Sequence, residues 1–460
     1  MSSSFSLDFL NSIIKAYDIR GLVEKEVTPE FTYAVGAAFA QFLIEEKEPS
    51  TLVIGEDMRP SSPVLAQSFA DGARAQGIDV IRIGLASTDM LYFASGKLNL
   101  PGVMFTASHN PAAYNGIKMC KSQARPIGQE SGLLRIKDLI AEGVAPSSKT
   151  EGGSTEQNLL GDYVDFLLSL FPGTNASSGR RLKVVIDAGN GMAGYTAPAV
   201  MEKLNVELVP MYFELDGNFP NHEANPIEPA NLVDLQKKVR EVGADIGLAF
   251  DGDADRCFLV DENGDLVNPS TLTSLIAVRE LKAKPGSTII YNLISSQAVP
   301  EIVTEFGGNP VRSRVGHSYI KKLMAETGAI FGGEHSGHFY FADFWKADSG
   351  MLAALYALTE LGASEKKLSQ LLHPFNRYVS SGEINTKVPD TRAALDRIIS
   401  QYSKTHVIDD LDGITVTGKG YWFNVRPSNT EPLLRLNVEA GTQATLTKVT
   451  AEVQGVISAL

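Results

Sequence analysis

Short apolar runs that end in small or polar residues, with helix-like stretches between them, recur through most of this chain. Few architectures accept that alternation. Residues 51–55 and 80–85 read as strands, and residues 64–75 between them carry small and apolar side chains at helical spacing. The same arrangement returns at 182–186, which lead into Asp187-Ala188-Gly189-Asn190-Gly191, and at 287–294, which lead into Ser295-Ser296. Such alternation predicts βαβ units around mostly parallel, buried sheets, in three copies without a sequence repeat of fixed period. A Pro/Ser/Gly stretch at 145–155 reads as a linker, and a helix over 156–171 follows it. From residue 391 the pattern changes. A helix at 391–402, strands at 414–417, 421–426 and 433–439, and a closing helix predict an α+β domain.

Composition narrows the partners. A chain of 460 residues is too long for one core, and three or four domains are expected. The formal charge of −13 and pI near 5.1 argue against nucleic acid, which selects a basic excess. Small phosphorylated ligands need only a local cationic pocket. Cys120 and Cys257 stand far apart in no metal-ligand spacing, which suits a reducing compartment. The first eight residues lack a basic region followed by a long apolar stretch, and no run approaches the ~18 uncharged apolar residues of a membrane span. A cytoplasmic protein without a membrane partner is the expectation.

Four segments carry chemistry. Thr106-Ala107-Ser108-His109-Asn110-Pro111 follows the apolar run 103–105 and so reads as a loop at the C-terminal end of a buried strand, where open α/β sheets bind ligands. Its serine is a weak nucleophile until a base or charge arrangement activates it. In Asp251-Gly252-Asp253-Ala254-Asp255-Arg256 three carboxylates alternate and would repel one another, which calls for a cation; hard oxygen ligands suit Mg²⁺ or Ca²⁺. An EF-hand is excluded despite Glu262 at its twelfth position, because Arg256 stands where that loop needs glycine and the flanks, 246–250 and 257–260, read as strands. Gly332-Gly333-Glu334-His335-Ser336-Gly337-His338 follows another apolar run. On an extended chain Glu334 and Ser336 point the same way and suit a polyol. Arg426-Pro427-Ser428-Asn429-Thr430-Glu431-Pro432 sets a guanidinium, two hydroxyls and an amide in one loop, a phosphate cradle. Lys118, the segment Lys15 to Gly21 with Tyr17 and Arg20, and Arg314-Val315-Gly316-His317-Ser318 are lesser candidates that local pattern alone would not select.

Taken together, these segments resemble the α-D-phosphohexomutases, and most closely the bacterial phosphomannomutase/phosphoglucomutase group. The resemblance runs from Lys15 to Pro432, with the four loops in the family's order. It implies three tandem mixed-sheet α/β domains (1–157, 158–264, 265–376) and a C-terminal α+β domain (377–460) around a central active-site cleft. It further implies that Ser108 is the phosphorylated serine and that Asp251, Asp253 and Asp255, with Ser108, bind Mg²⁺. Glu334 and Ser336 would contact sugar hydroxyls, and Arg426, Ser428, Asn429 and Thr430 the substrate phosphate. Tyr17 and His317 join the substrate contacts. Two positions depart from relatives: His335 stands where others often have methionine or glutamine, and Asn292-Leu293-Ile294 where some have a lysine.

The implied reaction is reversible transfer between the 1- and 6-phosphates of mannose and glucose through a hexose 1,6-bisphosphate, by a monomer acting on small hexose phosphates. In it Arg256, Lys118 and His109 are cations available to the transferring oxygens. His338, Lys118 and Arg20 are candidates for proton transfer, with His338 favoured because imidazole needs the smallest pKa adjustment. Alternatives are a phosphoglucosamine mutase, a metal-dependent sugar-phosphate phosphatase, and a non-enzymatic phosphosugar sensor.

Overall fold

The computed structural model describes residues 5–171, 179–427 and 433–458. Its strands form four sheets. In the first, Asp79–Leu85, Thr51–Glu56 and Gly102–Phe105 run parallel, and Tyr114–Lys121 then returns antiparallel to Gly102–Phe105. Ile19–Leu22 and Ser154–Glu156 lie at the two edges. The second sheet repeats this plan with Val206–Met211, Leu182–Asp187 and Ile246–Phe250 parallel and Cys257–Val260 returning. The third repeats it with Asn309–Ser313, Thr288–Asn292 and Phe331–Gly333, and Phe339–Phe341 returning. The recurrence seen in the sequence is thus a repeat of topology. Each central strand is apolar because helices cover both faces: Gly102–Phe105 and Ile246–Phe250 are buried throughout.

The helices start where the chain supplies caps. Thr28 accepts a bond from the backbone N–H of Phe31, with Pro29 next to it, ahead of Pro29–Glu45. Ser87 does the same for Met90 ahead of Thr88–Leu98.

The fourth sheet is wholly antiparallel, in the order Val379–Lys387, Leu433–Ala440, Tyr421–Pro427, Ile414–Gly418, Val407–Asp409. Thr391–Tyr402 and Gln443–Ser458 bury their apolar stripes against it. The expected fold class therefore holds: three mixed α/β units and an antiparallel C-terminal domain. One core runs through the first three units, from Val53 to Leu372, while the C-terminal domain has its own. The 145–155 stretch is not all linker. Its last two residues open the edge strand Ser154–Glu156, which pairs parallel with Asp79–Leu85. No described helix is long and apolar enough to cross a membrane.

Candidate active site

In each of the first three sheets the last parallel strand turns back into its antiparallel neighbour, and each of those three turns carries one of the motifs. The loop after Gly102–Phe105 holds Ser108, that after Ile246–Phe250 holds the three aspartates, and that after Phe331–Gly333 holds Glu334. Shared topology brings together segments far apart in sequence.

Ser108 is buried and has φ +51. A non-glycine residue there costs about 1–3 kcal/mol, and it persists only where its surroundings over-determine it. Its N–H donates to Thr106 Oγ1 at 2.9 Å. Its hydroxyl donates to Asp251 Oδ2 at 2.8 Å and lies 3.2 Å from His109 Nδ1. Gly252 makes this approach possible, since a Cβ there would sit 2.3 Å from the Ser108 carbonyl oxygen. Burial, then Arg256 and Arg20, push the His109 imidazole well below its ordinary pKa.

The aspartate loop is dry and crowded. Asp251, Asp253 and Asp255 are buried, with one carboxylate oxygen from each within 4.8 Å of the others. Asp251 accepts from the Arg256 backbone N–H at 3.1 Å and from Arg256 Nε at 2.8 Å. Lys118, on the returning strand Tyr114–Lys121, places Nζ 2.6 Å from both Asp253 Oδ2 and Asp255 Oδ2. Thr88 Oγ1 donates to Asp253 at 2.6 Å. Burial pushes Asp251 up to about 7 against the pull of Arg256, with Asp255 and Asp253 adding to the rise. Asp253 Oδ1 accepts no hydrogen bond among the described residues. A hard divalent cation fits this donor set: three crowded carboxylates and a buried oxygen without a hydrogen-bond partner among the described residues.

The third loop is a turn. Gly337 N–H donates to the Glu334 carbonyl at 3.1 Å, and Glu334 N–H to the His338 carbonyl at 3.0 Å. The extended chain expected to align Glu334 and Ser336 is thus absent, because the antiparallel return of Phe339–Phe341 closes the segment. Glu334 is buried. Its carboxylate accepts from Tyr340 Oη at 2.6 Å, Gly316 N–H at 3.1 Å and Asn292 Nδ2 at 3.3 Å. Ser336 Oγ lies 2.9 Å from His338 Nδ1, and His338 Nε2 lies 3.5 Å from Asp255 Oδ1. Burial opposes the charge on His338, but Asp255 outweighs it and raises the pKa. Lys118 is likewise opposed by burial and held protonated by Asp253 and Asp255. Main-chain bonds stitch this turn to the aspartate loop: Arg256 bridges His338, and Cys257 N–H donates to the Gly337 carbonyl at 3.1 Å.

Of the remaining candidates, Arg20, Tyr17 and Arg426 lie among the described residues. Arg20 donates to Asp18 and to Asn110 Oδ1, both at 2.5 Å. Tyr17 abuts Gly316, where an added Cβ would come within 2.4 Å of its hydroxyl. Arg426 lies opposite Arg435 across two strands, and the pair shares one carboxylate, Glu383, at 2.9 Å and 3.5 Å. Burial, then Glu383 and Arg426, act on His335, whose pKa falls; this ties the C-terminal domain to the third loop. Ser428, Asn429 and Thr430 lie outside the described residues, as does the side chain of His317, which begins the helix His317–Thr327.

Sequence reading missed Asn292, Tyr340 and Thr88, which hold Glu334 and Asp253, and above all Arg59. The signal was available for Arg59: Asp57-Met58-Arg59 follows Thr51–Glu56 at a strand end, where ligands and their supports gather.

Known proteins resemble this chain over nearly its whole length. Models of phosphoglucomutase/phosphomannomutase α/β/α domains I, II and III match residues 11–145, 161–264 and 268–378, and the model of the C-terminal domain matches 383–456. Phosphohexose mutases of Xanthomonas campestris pv. campestris are 39% identical over 447 residues, covering 96% of this chain and 98% of that protein. A phosphomannomutase of Vibrio cholerae serotype O1 is 39% identical over 438 residues, covering 93% and 94%. A solved structure, that of a phosphoglucomutase/phosphomannomutase family protein from Burkholderia thailandensis, matches with a TM-score of 0.87 at 31% identity and covers 97% of each chain. With four domain models in order and relatives of this identity spanning nearly its whole length, the chain belongs to the phosphoglucomutase/phosphomannomutase family, the α-D-phosphohexomutases, and is with them an isomerase.

Proposed function

We propose that this protein interconverts the 1- and 6-phosphates of mannose and glucose, with Ser108 as the phosphoryl carrier and a hexose 1,6-bisphosphate as the intermediate. The observation that carries this reading is Ser108 itself. A hydroxyl in a strained backbone geometry is aimed at a buried carboxylate of a three-aspartate cluster at 2.8 Å. Names of relatives, phosphomannomutase and phosphohexose mutases, favour the same substrates.

In the first step the P–O bond to Ser108 breaks and a P–O bond to a free sugar hydroxyl forms. The hydroxyl proton passes to His338, whose ring is oriented by Asp255 and Ser336, and the Ser108 oxygen departs as the alkoxide that takes a phosphoryl group back in the second step. The bisphosphate turns over in the cleft, and its other phosphate returns to Ser108 with that proton going back to the departing sugar oxygen. Arg256 and Lys118 supply fixed positive charge toward the transferring oxygens. Glu334, held from behind by Tyr340 and Asn292, and Ser336 read ring hydroxyls common to both sugars. Arg426, with Ser428, Asn429 and Thr430, grips the phosphate that is not reacting, while Tyr17 and Arg20 line the approach and His317 is a further substrate contact by family resemblance. Mg²⁺ on Asp251, Asp253 and Asp255 would supply Lewis-acid withdrawal of charge from the phosphoryl group. The same reading has the chain act as a cytoplasmic monomer on small phosphosugars, in keeping with its net charge of −13.

The test is to supply mannose 1-phosphate, glucose 1-phosphate and glucosamine 1-phosphate separately, with Mg²⁺ and a bisphosphate primer, while intact mass reports the state of Ser108. One phosphate on the wild type, none on an inactive Ser108→Ala, and kcat/KM for mannose and glucose within about tenfold (~1.4 kcal/mol) are expected. A fully active Ser108→Ala rejects the carrier. A hundredfold preference for the glucosamine phosphate shows that C2 is read and rejects the substrate assignment.

A further inference from the structure

Beneath the Ser108 loop lies a guanidinium that touches neither the aspartate cluster nor the residues assigned to the sugar. Arg59 has no exposed side-chain surface. Its Nη2 donates to the carbonyls of Ser108 at 3.1 Å and Asn110 at 2.6 Å. Its Nη1 donates to those of Pro111 at 2.9 Å and Tyr114 at 3.0 Å. Its Nε donates to Asp57 Oδ2 at 3.2 Å. A guanidinium has five N–H donors, and all five are used. Four of them hold one loop, across the seven residues that carry Ser108.

The fork is itself clamped. Asp57 Oδ1 accepts from the Arg59 backbone N–H at 3.0 Å and from Ser62 Oγ at 2.6 Å. From the second domain, the ring of Phe219 covers the guanidinium at 5.1 Å. Gly217 passes so close that an added Cβ would lie 2.6 Å from the Arg59 Cα.

We propose that Arg59 is a positioning residue for phosphoryl transfer: its five-donor fork, capped by Phe219, holds Ser108 in the left-handed geometry that aims its oxygen at the aspartate cluster. The proposal rests on the reading of Ser108 as carrier. A lysine keeps the charge but has three donors on one atom, and it cannot span four carbonyls. Misplacement of a reacting atom by about 1 Å can cost a hundredfold in rate. Arg59→Lys should therefore lower kcat about tenfold to a hundredfold and leave KM within about twofold, because the proposed sugar contacts lie on other loops. Phe219→Leu, which removes only the aromatic cap, should lower kcat by several-fold at constant KM.

The measurement is steady-state kinetics on both variants beside Ser108→Ala, with single-turnover transfer from the phosphorylated protein to glucose 6-phosphate. A transfer rate that falls by the same factor as kcat supports the proposal. A folded Arg59→Lys with kcat within twofold of wild type overturns it, as does a loss carried by KM. If Arg59→Lys does not fold, Phe219→Leu decides, and an unchanged kcat there overturns the proposal. An active Ser108→Ala instead sinks the carrier reading on which the proposal stands.

Discussion

Lys118 shows how a single side chain manages charge in this site. Its ammonium bridges Asp253 and Asp255 at 2.6 Å, and in doing so it satisfies two of the carboxylates that a divalent cation would use. Removing one partner of a buried ion pair costs about 3–5 kcal/mol, since the other is left uncompensated. Lys118→Met should accordingly lower the melting temperature of the metal-free protein, and Mg²⁺ should then raise it by more than it raises the wild type. Thermal unfolding with and without Mg²⁺ checks this, and equal increments would show that ammonium and metal do not share those oxygens. The aspartates were readable from the sequence because three ligands fall within five residues. Arg59 was marked only by its place at a strand end, because its partners are main-chain carbonyls about fifty residues away and leave no side-chain pattern. The downward pKa shift of His109 was equally hidden, since burial and two arginines distant in sequence cause it.

Among the elements, the helix Thr88–Leu98 joins three domain-sized units. Asp89 in its first turn is buried and accepts from Tyr163 Oη at 2.8 Å and Ser349 Oγ at 2.6 Å, besides Ser87. Three domain-sized units thus meet on one carboxylate. Burial pushes that carboxyl up to about 6, against the three hydroxyl donors, with Asp255 adding to the rise. A folded pKa above the unfolded one means that the folded state holds its proton longer. The contribution to stability is full below about pH 4 and is lost as pH rises through about 6, up to about 3 kcal/mol. Asp89→Asn keeps the hydroxyl acceptor and should flatten this loss. Melting temperatures from pH 4 to 7 that fall in parallel for both proteins would disprove it. Elements such as Thr51–Glu56 and Thr391–Tyr402 were legible because period and caps agree with their burial. The turn at 334–337 was not, because its geometry comes from the returning strand beyond it.

At the scale of the whole molecule, one apolar cluster runs through the first three units, beside others within single units, whereas the C-terminal domain has its own and meets its neighbour through polar contacts. Glu439 accepts from Gln297 N–H at 2.8 Å, and Asp412 from Val315 N–H at 3.2 Å. A polar seam of this kind separates more readily than a continuous core. Arg426 and Arg435 share the carboxylate of Glu383, and Asp412 of the same seam also acts on Arg426. Phosphate binding there should draw the C-terminal domain inward and exclude water. Small-angle scattering should record a smaller radius of gyration at saturating glucose 1-phosphate. An unchanged radius would count against closure. The order of domains was legible from the three recurring strand-to-loop junctions; which of them moves was not, because it depends on what fills each seam.

The main-chain bridge between Arg256 and His338 also bears on how this chain can be recombined with its relatives. The second and third units exchange backbone bonds at the site itself, so a crossover between them would pair unlike strands where register matters most. Among the described residues the seam near residue 378 carries no such backbone-to-backbone bond. Exchange of the C-terminal domain is therefore the tolerated graft, and the first three units are inherited as one block.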